Sequence, residues 1–343
     1  MIIFLGPTLD LPTAQAILPA DYRPPAALGD VLHALSANPT AILLVDGLFE
    51  RQPAVWHKEL LWAMHHGVPV WGASSMGALR AAELAPLGMV GIGRVYEQFA
   101  SGTLEADDEV AVRHLPAELG YKATTEALVN IRATLANAQT QGVIGAQTAE
   151  TLLGRARALH YSQRTYERLL ADEDEGGETA VLRRHLPDLR VDQKRADAIT
   201  ALERLANGEP IPPPPPIPFA HTPRFERLLA QETPLAISAE GVRVTAQMVA
   251  MHLCLAGEIA ALPADPRPLV AELDQAGRLA AVLAEIGQKE GRWTGQATLD
   301  VAGLRVRYGE MRGRVLPPLP HLAAEMGFGR PDLFLLELLK FAT

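Results

Sequence analysis

The chain has 343 residues, 48% hydrophobic and 5% aromatic, with a formal net charge of −9 and a pI near 5.6. That length supports two domains with separate cores, and an acidic balance with no Lys/Arg block argues against nucleic-acid binding. The single cysteine, Cys254, excludes an intrachain disulfide and argues against a thiolate metal site; in the apolar run Met251–Ala256 it reads as a buried core residue.

The apolar start Met1–Gly6 is too short and lacks the basic residues of a signal peptide, so it reads as a first strand. No apolar run is long enough to span a membrane, and a cytoplasmic protein is expected. Ile2–Leu5 is a predicted strand that ends at Gly6-Pro7-Thr8. Helices are predicted over Asp10–Leu18, with Pro12 in the first turn, and over Asp30–Ala37. Ala41–Val45 is a fully apolar strand stopped by Asp46-Gly47. Pro53–His66 has helical periodicity, with Gly67 as its stop, and Val68–Trp71 is the next strand. Ser75–Leu84 then reads as a helix.

Apolar strands alternating with helices predict an α/β fold, a parallel sheet with flanking helices. Ligands of such sheets bind beyond the carboxyl ends of the strands. The turns at Gly6-Pro7-Thr8, Asp46-Gly47 and Gly72–Gly77 should therefore converge on one edge.

Farther on, Thr124–Gln139, Ala146–Leu170 and Asp192–Ala206 read as long charged helices. Pro210–Pro218 is proline-rich and predicts an extended polyproline segment. The expected organisation is a core over 1–207 (α/β over 1–121, helical over 122–207), a linker over 208–218, and a mostly helical C-terminal domain over 219–343. Its leucine-rich runs are Arg224–Leu229, Val242–Leu255 and Pro331–Phe341, and no catalytic motif stands out there.

The chemistry-bearing stretch is Val68–Arg80, where a buried strand enters a small-residue turn and then a helix. Three readings stand for the turn. Ser74 or Ser75 caps the helix; the turn holds an anion on free N–H groups; or Ser75 is a nucleophile pushed out by a sharp bend. For the anion reading, Gly6, Thr8 and Gly77 are candidates at the strand ends, and Arg80 is a candidate grip for a carboxylate unless it pairs with Glu83 one turn away.

His57 is the first candidate for a general base, because imidazole titrates near neutrality. Lys58 would serve only if burial removed its proton, and His114 is a further candidate from the following segment. Asp46 would orient a base or hold a cation, or merely form the turn. His65 and His66 read as a helix C-terminal cap. Glu105 with Asp107-Asp108-Glu109 reads as a solvated acidic loop or a docking patch in preference to a Mg²⁺ site. No metal and no organic cofactor is expected.

The turn Gly72-Ala-Ser-Ser-Met-Gly-Ala78 resembles the Ser-Met-Gly-Ala turn of Clp-type serine peptidases over about Ala41–Ala78. That resemblance implies Ser75 as nucleophile and the N–H groups of Met76 and Gly47 as oxyanion donors. The next histidine after Ser75, His114, lies at another spacing than the base of those peptidases.

A wider resemblance covers the first 200 residues. Phe4-Leu-Gly-Pro-Thr-Leu9, Pro24-Pro25, Gly29-Asp30, Val45-Asp-Gly-Leu-Phe49, Ala54–Glu59, Gly72–Glu83, Gly88-Met89 and Asp107–Val110 occur in the order of the TfuA-like family. The resemblance implies work beside a YcaO-type enzyme in peptide thioamidation. It further implies hydrolysis of the thiocarboxylate on a small ubiquitin-like sulfur-carrier protein to release sulfide. The alternative is a non-catalytic adaptor that binds and tunes the YcaO enzyme. A nucleotide- or phosphate-binding protein is disfavoured, because no Gly-Lys-Ser/Thr loop is present. A homo-oligomer is left open.

Overall fold

The computed structural model describes residues 1–48, 52–171, 177–237, 243–292, 308–312, 316–329 and 331–342. Phe49, which closes one of the family motifs, and Val242, which opens a leucine-rich run, lie outside them. The chain forms two compact units, Met1–Phe219 and Ala220–Thr343.

The first unit is built on a five-stranded, all-parallel sheet: β1 (Ile2–Phe4), β2 (Asp21–Arg23), β3 (Ile42–Leu44), β4 (Val70–Ala73) and β5 (Val90–Ile92), in the order β2-β1-β3-β4-β5. Its helices are α1 (Leu11–Ile17), α2 (Asp30–Leu35), α3 (His57–His65), α4 (Met76–Leu84) and α5 (Arg94–Ala100). α6 (Leu128–Thr140), α7 (Ala146–Ala158), α8 (Tyr166–Leu169), α9 (Glu178–Leu189) and α10 (Gln193–Ala206) follow. The α/β expectation holds.

Strand alternation explains the continuous apolar runs. Ile2, Phe4, Ile42, Leu44 and Val70 face a core shared with Val31, Leu60, Ala63 and Ala81. Ile3, Leu5, Leu43, Val45 and Trp71 face the other side, against Ala14, Ala198, Ala201 and Leu202. Both faces are covered, so no position in these strands needs to be polar. Chain order reverses between β1 and β3, and the carboxyl ends of those two strands flank the crevice where such sheets bind ligands.

α4 lies unusually close to the sheet. A Cβ at Gly77 would sit 1.8 Å from the Leu44 carbonyl oxygen, and one at Gly72 would sit 2.1 Å from the Gly77 oxygen. Both obstacles are backbone and cannot rotate away. Gly77→Ala should therefore destabilise the unit by about 3 kcal/mol or more, at the upper end of overpacking effects. A thermal midpoint equal to wild type would refute this close approach.

Glu59, in the first turn of α3, is fully buried and accepts the N–H groups of Gly29 at 2.8 Å and Trp56 at 3.0 Å. Burial pushes its carboxyl up to about 7 in spite of these bonds. The folded state thus keeps a proton that the unfolded chain releases near the ordinary 4.5. This contribution is intact below that value and is lost as pH rises through about 7. Urea unfolding should show stability falling between about pH 5 and 8, and Glu59→Gln should flatten that slope. An identical slope in the variant would remove Glu59 as its source.

Several elements differ from the sequence expectation. β2, β5, α5 and α9 were not foreseen, and the Val68–Trp71 strand is shifted to Val70–Ala73. The long helix expected over Ala146–Leu170 is two helices with a break after Ala158. Arg164, 1% exposed, causes the break: its Nε donates to the Ala156 and Leu159 carbonyls and closes the end of α7. The proline-rich stretch lies within the first unit, where Ile211 and Ile217 join the two sheet-face cores and Pro215 abuts Gly88.

The second unit has helices Pro223–Glu232, Ala246–Ala256, Arg267–Gln275, Leu279–Arg292, Leu319–Glu325 and Pro331–Ala342. It also has an antiparallel pair, Pro234–Ile237 with Arg243–Thr245, so the unit is mostly helical, as expected, with one short hairpin. Cys254 is fully buried and its thiol is pushed up to about 11, so it is an inert core residue.

Candidate active site

The three strand-end turns do meet. Asp46, 1% exposed, follows β3. Its Oδ2 accepts the N–H groups of Gly6 at 2.9 Å and Thr8 at 3.1 Å, and its Oδ1 accepts the Thr8 hydroxyl at 2.6 Å. Gly6 and Thr8 therefore hold an anion, as their position suggested, but the anion is the chain's own carboxylate. Gly77 is likewise committed, its N–H donating to the Val45 oxygen at 3.1 Å. None of these three is free for a ligand.

Two N–H groups do stay open. Among the described residues, nothing accepts the N–H of Gly47 or of Met76. The two residues adjoin: a Cβ at Gly47 would fall 2.7 Å from Met76 Cγ. Ser75 lies directly before Met76.

Ser74 has φ +67°, rare for a residue with a side chain, and Ser75 N–H donates to the Ala73 oxygen at 2.9 Å. Such a tight turn is strained and needs support from outside. The support is the Ser74 hydroxyl, which donates to the Lys194 carbonyl oxygen on α10 at 2.8 Å. Ser75 occupies the N-cap position of α4, yet its hydroxyl makes no capping bond. The capping reading of these serines therefore does not hold, and the Ser75 hydroxyl is left to the cavity in front of it.

That cavity has a volume of about 460 Å³ and is lined by Pro7, Asp46, Gly47 and Ser75 from the sheet edge, by Val110–His114, by Tyr161 and Ser162, and by Lys194. Lys194 is 3% exposed, and its Nζ donates to the Val110 oxygen at 2.8 Å. Burial pulls its ammonium below the ordinary lysine value, against the carboxylates of Asp46, Asp192 and Glu126. His114 also lines the cavity, with Nδ1 bonded to the Leu115 oxygen at 2.8 Å.

His57 and Lys58 are not brought to this cavity. His57 Nε2 bonds to Glu83 at 2.7 Å, and Arg80 bonds the same carboxyl oxygen at 2.7 Å. Burial opposes the Glu83 charge, but bonds from His57 and Arg80 hold its carboxyl below the usual range. Arg80 is thus spent on Glu83 and, through Nε, on the Val55 oxygen at 3.2 Å. The Lys58 ammonium lies 4.9 Å from the centre of the Phe219 ring. His66 bonds back to the Trp62 oxygen and His65 to the Ile217 oxygen.

The acidic cluster divides, with Glu105 and Asp107 exposed to solvent and the other two carboxylates paired. Glu109 is 4% exposed and takes both arms of Arg132, while Asp108 pairs with Arg164. Among the described residues, no group of three or more His, Cys, Asp or Glu is placed to hold a metal ion.

Lys194 was missed because its charge fits a helix that reads as charged throughout. The signal was its register: on α10 the buried positions are Lys194, Asp197, Ala198, Ala201 and Leu202. A lysine and an aspartate on the apolar stripe of a helix need a reason to be there. Asp197 has one, accepting the Val95 N–H at 2.7 Å. Lys194 faces the cavity.

The fold, the strained turn and the Asp46 cradle are features of one local arrangement, and a family model described as TfuA-like protein matches residues 46–165. Residues 46–165 are similar to TfuA-like proteins. No protein of curated function matches the chain. No helix among the described residues is long and apolar enough to cross a membrane. The TfuA-like match takes in Asp46, Gly47, Ser75 and His114; Gly6, Thr8 and Lys194 come from outside it.

Proposed function

We propose that this TfuA-like protein is a hydrolase serving a YcaO-type enzyme. It cleaves the thiocarboxylate at the carboxyl terminus of a small ubiquitin-like sulfur carrier and releases sulfide. The observation that carries this reading is the Ser75 hydroxyl, unused as a cap, opening into a cavity beside the unbonded N–H groups of Gly47 and Met76 and the buried Lys194.

The chemistry follows from those groups. A thiocarboxylate carries its negative charge over sulfur and oxygen, which makes its carbon a reluctant electrophile. The N–H groups of Gly47 and Met76 take the oxygen and draw charge away from carbon. Lys194 in its unprotonated form accepts the Ser75 proton as Oγ attacks. The C–S bond breaks, the proton passes to sulfur, and hydrosulfide leaves an ester on Ser75. Water then adds, the C–O bond to Ser75 breaks, and the carrier departs as a carboxylate with one proton released to solvent and Ser75 and Lys194 restored. The Asp46 carboxylate, held by Gly6 and Thr8, favours the ammonium form that Lys194 takes on accepting the proton.

The test is to mix the full chain with thiocarboxylated carrier and follow free sulfide and carrier mass together. Sulfide release with loss of the thiocarboxylate mass supports the reading. If the carrier is untouched while the protein still binds and accelerates the YcaO enzyme supplied with free sulfide, the adaptor reading replaces it.

A further inference from the structure

The wall of the Ser75 cavity at Ala111–His114 lies outside any helix, and the peptide groups from Val112 to Leu115 divide by side. On one side the Arg113 N–H donates to Thr125 Oγ1 at 2.8 Å, the Arg113 oxygen accepts from Thr124 at 2.7 Å, and the Leu115 N–H donates to the Lys122 oxygen at 2.9 Å. This pairing makes His114 and Ala123 antiparallel partners. The N–H and C=O groups of Val112 and His114, which alternate with these, have no hydrogen bond among the described residues. Both residues line the cavity, so an unpaired strand edge runs along it.

A second cavity of about 450 Å³ continues the first, sharing Arg113, His114 and Ser162. Arg113 and Arg168 line it, and neither has a carboxylate partner among the described residues. The two cavities together thus present free main-chain groups and two arginine side chains. An extended chain ending in an anion suits such a lining.

We propose that Val112 and His114 receive the carboxyl-terminal tail of the substrate protein as an added β-strand, main chain to main chain, and so carry its last carbonyl to Ser75. Recognition would rest on peptide groups and on the anionic end, with little dependence on side chains, as in other strand-addition sites. This rests on the reading of Ser75 as the reacting residue, and it is tested apart from turnover. The probe is a short fluorescent peptide ending in two glycines with a free carboxylate, bound to the full-length Ser75→Ala protein. A series carries one N-methyl group at each successive amide.

N-methylation at every second amide should weaken binding about tenfold or more, the worth of one lost and blocked hydrogen bond, with the amides between them tolerant. Losses without that alternation, or no peptide binding at all, would overturn strand addition even if the whole carrier is hydrolysed. Alternating losses in a protein that releases no sulfide from the carrier would uphold strand addition and sink the hydrolase reading.

Discussion

Ser75→Ala should stop sulfide release from a thiocarboxylated carrier and leave the thermal midpoint where it is. Loss of an attacking group lowers turnover by roughly a thousandfold or more when no other nucleophile can take its place. Stability should hold because the hydroxyl caps nothing: α4 starts without a side-chain bond from Ser75, and the strained turn is braced by Ser74. The variant should still bind the carrier, since the N–H groups of Gly47 and Met76 belong to the backbone. Sulfide release at the wild-type rate by a folded Ser75→Ala protein would end the covalent mechanism. The Ser74→Ala variant serves as a contrast, since it would lose the brace to Lys194 and with it some stability.

Lys194→Met and Lys194→Arg should both lose most activity, by about a hundredfold or more, the usual share of a general base. They should differ in stability. Methionine fills the same buried space without a charge, so the fold should be unharmed or slightly firmer, with Asp46 still satisfied by Gly6 and Thr8. Arginine keeps its proton at every accessible pH and cannot serve as a base. In the wild type, burial lowers the Lys194 value, so activity should rise with pH over a range below that of an ordinary lysine. A His114→Ala protein should keep this profile. If instead His114→Ala removes the pH dependence and Lys194→Met leaves it intact, the base is His114.

Much of the fold was legible because each strand declares itself locally. Ile2–Phe4 and Ile42–Leu44 are fully apolar, flanked by Gly-Pro and Asp-Gly, and both faces of the sheet are covered. β2 escaped notice for the opposite reason: Asp21-Tyr22-Arg23 is an edge strand, half-exposed and polar. Arg164 broke a helix whose periodicity runs on past the break, an event decided by a tertiary bond to Asp108. Ser75 and its turn could be found from small residues between a strand and a helix. Its companions could not. His57, chosen for its imidazole, is drawn to Glu83, and Lys194 is set beside the turn by the return of α10 across the sheet.

The carboxylate of Asp46 sits where a parallel sheet of this kind commonly receives a phosphate. The chain therefore arrives with that seat taken. Inorganic phosphate, sulfate and nucleotides, abundant in any cell, find no vacant ring of N–H groups at the β1–β3 crevice. Among the described residues, the N–H groups left open beside Ser75 are those of Gly47 and Met76. A phosphate at that crevice would meet the Asp46 carboxylate in place of free donors.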